Sequence, residues 1–224
     1  MPRVKAKRFL HNDTDDRIVQ SGKDFFDHAK GNWAKDFFGN ENPIVLELAC
    51  GRGEYTVGLA QHFPDKNFLG IDKKWDRMWI WLQDAQEKWL QNIGFLRTII
   101  HHLDRFFAED EIDEIRIVHP DPRPRWADAR RRLTNPRFLS LYEQILVPGW
   151  LLRLKTDDAD LFSYSLEMFA QEWWEVLVQT TDLYASDLLS DHYWIQTHYE
   201  QKFVGQWRTI HYGVFRKKGT ELQR

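Results

Sequence analysis

The stretch that decides the fold is IVLELACGRGE, residues 44–54. Its first part, Ile44–Leu48, is a short, largely apolar and partly β-branched run, which predicts a buried parallel strand. The next residues, Ala49–Gly53, include two glycines and predict a tight turn. Glu54–His62 then predicts a helix that ends before Pro64. A strand, a glycine turn and a helix in this order begin a β-α-β unit.

Strands and helices continue to alternate along the chain. The further predicted strands are Asn67–Asp72, Ile93–Arg97, Glu114–His119 and Trp150–Thr156, and the further predicted helices are Pro136–Leu146 and Ala159–Glu172. A long amphipathic helix is predicted over 75–90, because apolar residues recur there at helical spacing. Two of them, Trp79 and Trp89, are expected in the core.

Two last strands are predicted near Trp174–Leu183 and Gln206–Phe215, with no helical segment of comparable strength between them. Such a pair is typical of antiparallel strands added to a parallel sheet. The fold class is therefore α/β and doubly wound, with a mostly parallel seven-stranded sheet, an antiparallel C-terminal pair and helices on both faces. Ligands of such folds bind at the carboxyl ends of the strands.

The length of 224 residues suits one sizeable domain. Residues 1–43 are polar with little periodicity, so they are interpreted as an N-terminal arm before a domain over 44–224. No apolar run approaches the ~18 residues of a membrane span, and no apolar leader follows the N-terminus. With the single cysteine Cys50 the chain has no intrachain disulfide, and a cytoplasmic location is expected.

The net charge of −3 is unusual for a nucleic-acid binder, but the basic residues are unevenly distributed. Six arginines fall within fifteen residues: Arg123, Arg125, Arg130, Arg131, Arg132 and Arg137. This run predicts a local surface for an RNA backbone. A solvated face is the alternative.

The glycine turn is the first segment whose residues indicate a ligand. Twenty-one residues after Gly51 the second strand ends in Asp72, where a carboxylate can accept both ribose hydroxyls of an adenosine. Only Gly51 and Gly53 occur at the tight spacing, whereas a dinucleotide site usually has three glycines. Glu47 and Glu54 would repel a pyrophosphate but tolerate the cationic S-adenosylmethionine. The residues favour this methyl donor over a nicotinamide dinucleotide, with glycines that serve only packing as the alternative.

The second motif is His119-Pro-Asp-Pro-Arg-Pro-Arg125, directly after the fourth predicted strand. Three prolines in five residues stiffen the loop. The loop is expected to present Asp121 beside the methyl donor, although Asp121 could also be a turn residue. Trp126, which follows, could stack on a splayed base, or it could have no role in RNA binding.

Four segments together resemble the bacterial tRNA (guanine-N7-)-methyltransferases of the TrmB family, in the same order and spacing over roughly residues 40–216. They are Glu47–Glu54, Pro120–Arg125 with the RRLTNPRFL that follows, Leu154–Asp157 and Thr197–Glu200. The resemblance implies a Rossmann-like class I methyltransferase fold. It also implies methylation of the guanine at tRNA position 46, in the variable loop, with S-adenosylmethionine as donor.

The resemblance implies roles for individual residues. Together with the glycine turn it gives cofactor contacts at Glu47, Gly51, Gly53, Asp72, Ile99 and Asp121. It gives substrate contacts at Arg125, Asp157, Thr197, His198, Tyr199 and Glu200, while Arg123, Arg130, Arg131 and Arg132 are assigned to the RNA backbone. The sequence departs from the family at His119, which is usually another aromatic residue, at Arg123, usually Trp, at Arg125, often Lys, and at Ile99, often acidic.

The chemistry needs few groups. Guanine N7 has an exposed lone pair, so methylation requires alignment and tolerance of positive charge but no general base. Asp121 is the catalytic candidate, and Asp157 or Glu200 could accept hydrogen bonds from the guanine edge. Thr197 could equally be the N-cap of a short helix.

No metal is expected, since the histidine spacing matches no compact ligand set. The expected partner is tRNA, and the chain could be a monomer or a homodimer. The rival hypotheses are a methyltransferase of the same fold that acts on another RNA, a protein or a small molecule, and a non-catalytic RNA-binding subunit.

Overall fold

The structure is a computed structural model that describes residues 13–74 and 83–217. The chain divides into two compact units, residues 1–108 and 109–224. Within the described residues, no helix combines the length and the apolar character that crossing a membrane requires.

Within its described residues, the first unit contains four parallel strands with the order β1-β4-β3-β2. They are β1 (Ile18–Val19), β2 (Ile44–Leu48), β3 (Asn67–Asp72) and β4 (Ile93–Arg97), and helix α1 (Glu54–His62) connects β2 to β3. Shorter helical turns occur at Asp24–Asp27, Trp33–Phe38 and Ile100–Arg105. The predicted bounds of β2, α1, β3 and β4 are confirmed.

The segment before β2 contributes to the core of this unit. Strand β1 pairs with β4, and Trp33 is fully buried, with its indole N–H donating to the carbonyl of Phe106 at 2.7 Å. Its ring stacks on Phe107 with centroids 5.4 Å apart. Neither feature was predicted from the sequence, because a two-residue strand among polar residues has no measurable periodicity. The domain boundary at residue 43 stays a prediction.

The helix predicted over 75–90 lies partly outside the described residues, which resume at residue 83 and are helical over 83–87. Ala85 is fully buried, as expected for the inner face of this helix. Trp89 is 84% exposed and adopts a left-handed conformation, with φ 54°. The prediction that Trp89 lies in the core is therefore wrong, because the helix ends before it. Trp79 lies outside the described residues.

Over residues 109–217, the part of it that the structure describes, the second unit contains four strands with the order β5-β6-β8-β7. They are β5 (Ile112–Val118), β6 (Leu146–Thr156), β7 (Glu175–Thr180) and β8 (His211–Arg216). Strand β5 is parallel to β6, and β8 is antiparallel to both β6 and β7. This arrangement confirms the predicted C-terminal pair, and the seven predicted strands are all present.

Three α-helices lie in the described part of this unit: α2 (Pro136–Ile145), α3 (Ala159–Gln171) and α4 (His198–Gly205). Helix α2 begins with a proline after Asn135, whose side chain caps it, and Asp158 caps α3 through a 2.7 Å bond from the N–H of Leu161. The turns Trp126–Arg131 and Asp187–His192 are 3-10 helices. Helix α4 lies between the last two strands, where the sequence indicated only a short capped segment.

Candidate functional site

The glycine turn after β2 needs unusual backbone conformations. Ala49, Gly51 and Gly53 have φ of 56°, 57° and 62°, which a side chain tolerates poorly. The N–H of Cys50 donates to the carbonyl of Ile71 at 3.0 Å, and this bond ties the turn to β3. The two glycines are therefore required by the backbone itself, at the carboxyl end of the strand.

Asp72 lies at the end of the neighbouring strand and holds the turn. One carboxylate oxygen accepts from the N–H of Gly51 at 3.0 Å, and the other accepts from the N–H of Lys74 at 2.9 Å. Because each carboxylate oxygen has two lone pairs, both can accept a further hydrogen bond. Asp72 can therefore support the turn and still bind a pair of hydroxyl groups.

Glu47 is buried, and one of its carboxylate oxygens, Oε2, is engaged by α1. This oxygen accepts from the backbone N–H of Thr56, at 2.8 Å, and from the Thr56 hydroxyl. A carboxylate at a helix N-terminus is favoured by the helix dipole. Glu47 thus anchors α1 against β2 and adds negative charge beside the glycine turn.

Ile99 follows β4 and precedes the turn Ile100–Arg105. Its carbonyl accepts from the N–H of His102 at 2.8 Å, and its side chain is 49% exposed. An aliphatic side chain at this position offers packing surface, where an acidic residue would offer a hydrogen-bond acceptor.

In the second unit the proline loop folds back on Asp121. The carboxylate accepts from the backbone N–H of Arg123 at 3.2 Å and lies 3.2 Å from its guanidinium. Arg123 has a left-handed φ of 49°. The Asp121 side chain is 59% exposed, so its charge remains open to a ligand.

The arginines after the loop fall into two groups. Arg125 and Arg131 are exposed and share Asp128, at 2.8 and 3.1 Å, and Arg130 is exposed as well. Arg132 is buried: its guanidinium donates to the carbonyl of Arg123 at 3.2–3.3 Å and lies 4.4 Å from the Tyr164 ring centre. Arg132 therefore holds the loop in place.

The substrate carboxylates predicted from the sequence come together in one cluster, here called the carboxylate cluster. Its members are His119, Lys155, Asp157, Tyr184, Glu200 and Arg208. Glu200 is at its centre: Lys155 Nζ donates to Oε2 at 2.7 Å, the Tyr184 hydroxyl donates to Oε1 at 3.0 Å, and His119 Nε2 lies 3.5 Å from Oε2. The side chains of Lys155 and Glu200 are 1% and 2% exposed, so they form a buried ion pair.

Asp157 forms the outer part of the cluster. One carboxylate oxygen is 3.3 Å from His119 Nδ1, and the other is 2.6 Å from the Arg208 guanidinium. Arg208 also donates to the backbone carbonyl of Asp157 at 3.3 Å, and it lies over the Phe203 ring at 5.1 Å. Asp157 is thus oriented from two sides by donors.

The cluster keeps both carboxylates ionised. Burial alone would raise the pKa of Glu200, but the adjacent His119 ring and the charge of Lys155 lower it to about 2. Burial also opposes ionisation of Asp157, and the hydrogen bond from His119 and the charge of Arg208 lower its pKa all the same. Burial, followed by the nearby charge of Glu200, raises the pKa of Tyr184, so its hydroxyl stays a donor.

The segment Thr197–Glu200 begins α4. The Thr197 hydroxyl accepts from the N–H of Glu200 at 3.1 Å, so the N-cap interpretation of Thr197 is confirmed. The Glu200 carboxylate binds within the cluster, while His198 and Tyr199 are exposed.

Sequence reasoning did not identify four members of this cluster: His119, Lys155, Tyr184 and Arg208. His119 was noted only as a departure from the family pattern. Lys155 had a recoverable signal, since a lysine in a strand with apolar neighbours needs a buried partner. Tyr184 and Arg208 lie in loops and gave no such signal.

No group of three or more potential metal ligands is found among residues 13–74 and 83–217.

The chain is similar in sequence to known methyltransferases. A family model described as "Putative methyltransferase" matches residues 41–212. A tRNA (guanine-N(7)-)-methyltransferase of Cytophaga hutchinsonii is 39% identical over 217 residues, covering 96% of this chain and 98% of that protein. The protein of the same name from Bacteroides fragilis is 45% identical over 186 residues, covering 83% of this chain and 73% of that protein.

A solved structure of the 16S rRNA methyltransferase KamB is similar with a TM-score of 0.64, at 13% sequence identity, covering 91% of this chain and 99% of that one. At this identity the likeness concerns the fold alone, and it confirms the predicted Rossmann-like methyltransferase fold. The relatives matched by sequence are more similar to this chain than the solved structure is, and these matches extend over most of the chain. The chain belongs to the tRNA (guanine-N(7)-)-methyltransferase family.

Proposed function

We propose that the chain is an enzyme that transfers a methyl group from S-adenosylmethionine to N7 of a guanine in tRNA, at position 46 of the variable loop. The observation that carries the proposal is the match, at 39% identity, to 98% of the length of a relative named a tRNA (guanine-N(7)-)-methyltransferase. A match that long includes both the glycine turn and the carboxylate cluster.

The first unit offers residues that fit the methyl donor. Asp72 can accept the two ribose hydroxyls while it holds Gly51. The left-handed turn at Gly51 and Gly53 lets the backbone approach a ligand closely, and the negative charge of Glu47 suits a cationic ligand. Ile99 would contribute only its apolar side chain or its backbone. S-adenosylmethionine, when bound, supplies an electrophilic methyl group.

The second unit offers residues that fit the guanine. The N1–H and exocyclic amine of guanine are donors, and adenine presents a different pattern on this edge, so an ionised acceptor selects guanine. Asp157 is ionised and lies at the outer side of the carboxylate cluster, with 11% of its side chain exposed. Glu200 is buried and already accepts two hydrogen bonds, so we assign it a supporting role.

The reaction is a direct displacement. The N7 lone pair forms the bond to the methyl carbon as the carbon–sulfur bond breaks, and the bonding electron pair remains on sulfur. The purine becomes cationic, because N7 has no proton to lose. Asp121, exposed and anionic, is proposed to stabilise this charge.

The exposed arginines supply the RNA contact. Arg125, Arg130 and Arg131 are proposed to bind phosphates, with Trp126, 86% exposed, available for stacking. Arg123 and Arg132 shape the loop that carries them, and His198 and Tyr199 present polar and aromatic surface at the start of α4. A tRNA substrate is consistent with a cytoplasmic location.

The test is transfer of radiolabelled methyl groups from S-adenosylmethionine to bulk tRNA. We expect incorporation that ribonuclease pretreatment abolishes. Incorporation into protein or small-molecule fractions, or none into tRNA, would contradict the proposal.

A further inference from the structure

We propose that His119 is a positioning residue that fixes Asp157 for the guanine edge, using Glu200 as its anchor. This inference rests on the proposed function, since it assigns the device that aims the substrate-reading carboxylate. It follows from the contacts of one imidazole ring that faces two carboxylates.

The ring lies between its two partners with little freedom. His119 Nδ1 is 3.3 Å from Asp157 and Nε2 is 3.5 Å from Glu200, and the side chain is 6% exposed. Its ring centre is 5.5 Å from that of Phe203 on α4. The backbone N–H of His119 donates to the carbonyl of Lys155 at 2.8 Å, so the main chain is held to the end of β6 as well.

Glu200, the anchor, is held more firmly than Asp157, the group that His119 positions. Glu200 is held by Lys155 at 2.7 Å and by Tyr184 at 3.0 Å, and Gln196 in turn donates to the Tyr184 hydroxyl at 2.7 Å. Among the described residues, the Asp157 side chain is contacted by His119 and by the partly exposed Arg208. The buried ion pair therefore restrains the imidazole, and the imidazole in turn restrains the more exposed carboxylate of Asp157.

Charged groups surround the ring. A carboxylate is an acceptor only, so Nδ1 donates the hydrogen bond between His119 and Asp157, while Nε2 lies 3.5 Å from Glu200. The groups that face the ring are Asp157 and Lys155 from the end of β6, Glu200 from α4 and Arg208 after it. A purine that becomes cationic would therefore meet an Asp157 already held in place.

Substitutions can separate the ring's two polar contacts from its packing. His119→Asn can donate from the position of Nδ1 and should keep the contact to Asp157, and Asn tolerates the φ of 45° at this position. His119→Gln reaches the position of Nε2 and keeps only the contact to Glu200. His119→Phe keeps the packing on Phe203 and loses both contacts.

The experiment measures single-turnover methylation of tRNA at saturating tRNA, tRNA affinity and the melting temperature of each variant. We expect His119→Phe to lower the rate on the order of 10-fold or more, as for loss of a hydrogen bond to a charged group, with tRNA affinity unchanged within about twofold. His119→Asn should recover part of the rate, because it keeps the contact to Asp157 without the anchor, and His119→Gln should not. His211→Phe is the matched control, because this buried imidazole also stacks on a phenylalanine, Phe162 at 5.3 Å.

A parental rate in folded His119→Phe would overturn the proposal, as would equal losses in the Phe and Asn variants. If His119→Phe does not fold, the rates of the Asn and Gln variants decide: a faster Asn variant supports the proposal, and equal rates overturn it. The proposed function fails separately, if the parent forms no 7-methylguanosine.

Discussion

Asp72 combines two tasks that a substitution can separate. Asp72→Ala removes the acceptor for the ribose hydroxyls, and the affinity for S-adenosylmethionine should fall by about 1.5–3 kcal/mol, as for hydrogen bonds that involve a charged group. The variant also loses the contact to Gly51, so Asp72→Asn, which can keep this acceptor, should be intermediate. Titration calorimetry measures both affinities.

Asp65→Ala is the control for Asp72, since Asp65 is an exposed aspartate in the turn before β3. It should bind the methyl donor like the parent. Unchanged affinity in a folded Asp72→Ala variant would remove the cofactor assignment of the first unit.

Asp121 should affect the rate more than tRNA affinity. Asp121→Asn keeps the acceptor for the N–H of Arg123 and therefore the loop, but it removes the negative charge. Single-turnover rates should fall by about 10²-fold, the effect of losing one electrostatic stabiliser. Asp160→Asn, at the exposed start of α3, is the control. A normal rate for Asp121→Asn would leave Asp121 as a residue that only shapes the loop.

The turn Trp126–Arg131 should set the salt dependence of RNA binding. Each phosphate contact that is lost reduces the slope of log affinity against log salt by roughly 0.7–0.9. Arg130→Ala combined with Arg131→Ala should weaken tRNA binding and flatten this slope, while the affinity for S-adenosylmethionine stays constant. Arg125→Ala should also lower activity at saturating tRNA.

Two controls accompany the arginine variants. Arg216→Ala, on β8 and partly exposed, should leave the slope unchanged. Arg132→Ala should lower the melting temperature, because Arg132 binds the carbonyl of Arg123. A parental slope in the Arg130 and Arg131 double variant would make this turn a solvated face.

The junction of α4 with β6 should respond to acid. The pKa of Glu200 is lowered from 4.5 to about 2, so its ionised form stabilises the folded state above about pH 4.5, and this contribution is lost as the pH falls from 4.5 through 2. Glu200→Gln should cost about 3–5 kcal/mol at pH 7, because Lys155 stays buried without its counter-ion. The difference from the parent should shrink towards pH 2.

Urea unfolding at pH 7, 4.5 and 3 measures this change. Glu175→Gln is the control, since Glu175 is half-exposed and lies 3.7 Å from Arg216, a pair expected to contribute at most about 1 kcal/mol. A Glu200→Gln variant as stable as the parent at pH 7 would contradict the interpretation of the buried pair.

The sequence predicted the elements whose pattern is local. The strand Ile44–Leu48, the helix Glu54–His62 and the helix start at Pro136 follow from β-branched runs, helical spacing and capping residues, and all three are observed. Strand β1 and the exposed Trp89 were missed, because neither has a pattern over enough residues.

Part of the candidate site was also predictable from local sequence, and part was not. Asp72 was predictable from its spacing after Gly51, but the carboxylate cluster joins residues 119, 155, 157, 184, 200 and 208, which only the fold brings together. The burial of Arg132 could not be seen either, since a run of arginines does not reveal which of them faces inward.

The proposed activity is tested most directly on two tRNA transcripts, one with guanine and one with adenine at position 46. After incubation with S-adenosylmethionine, nucleoside mass spectrometry and mapping of the modified position identify the product. The predicted result is 7-methylguanosine at position 46 of the first transcript and none in the second. Absence of 7-methylguanosine from the first transcript, or equal amounts in both, would contradict the account.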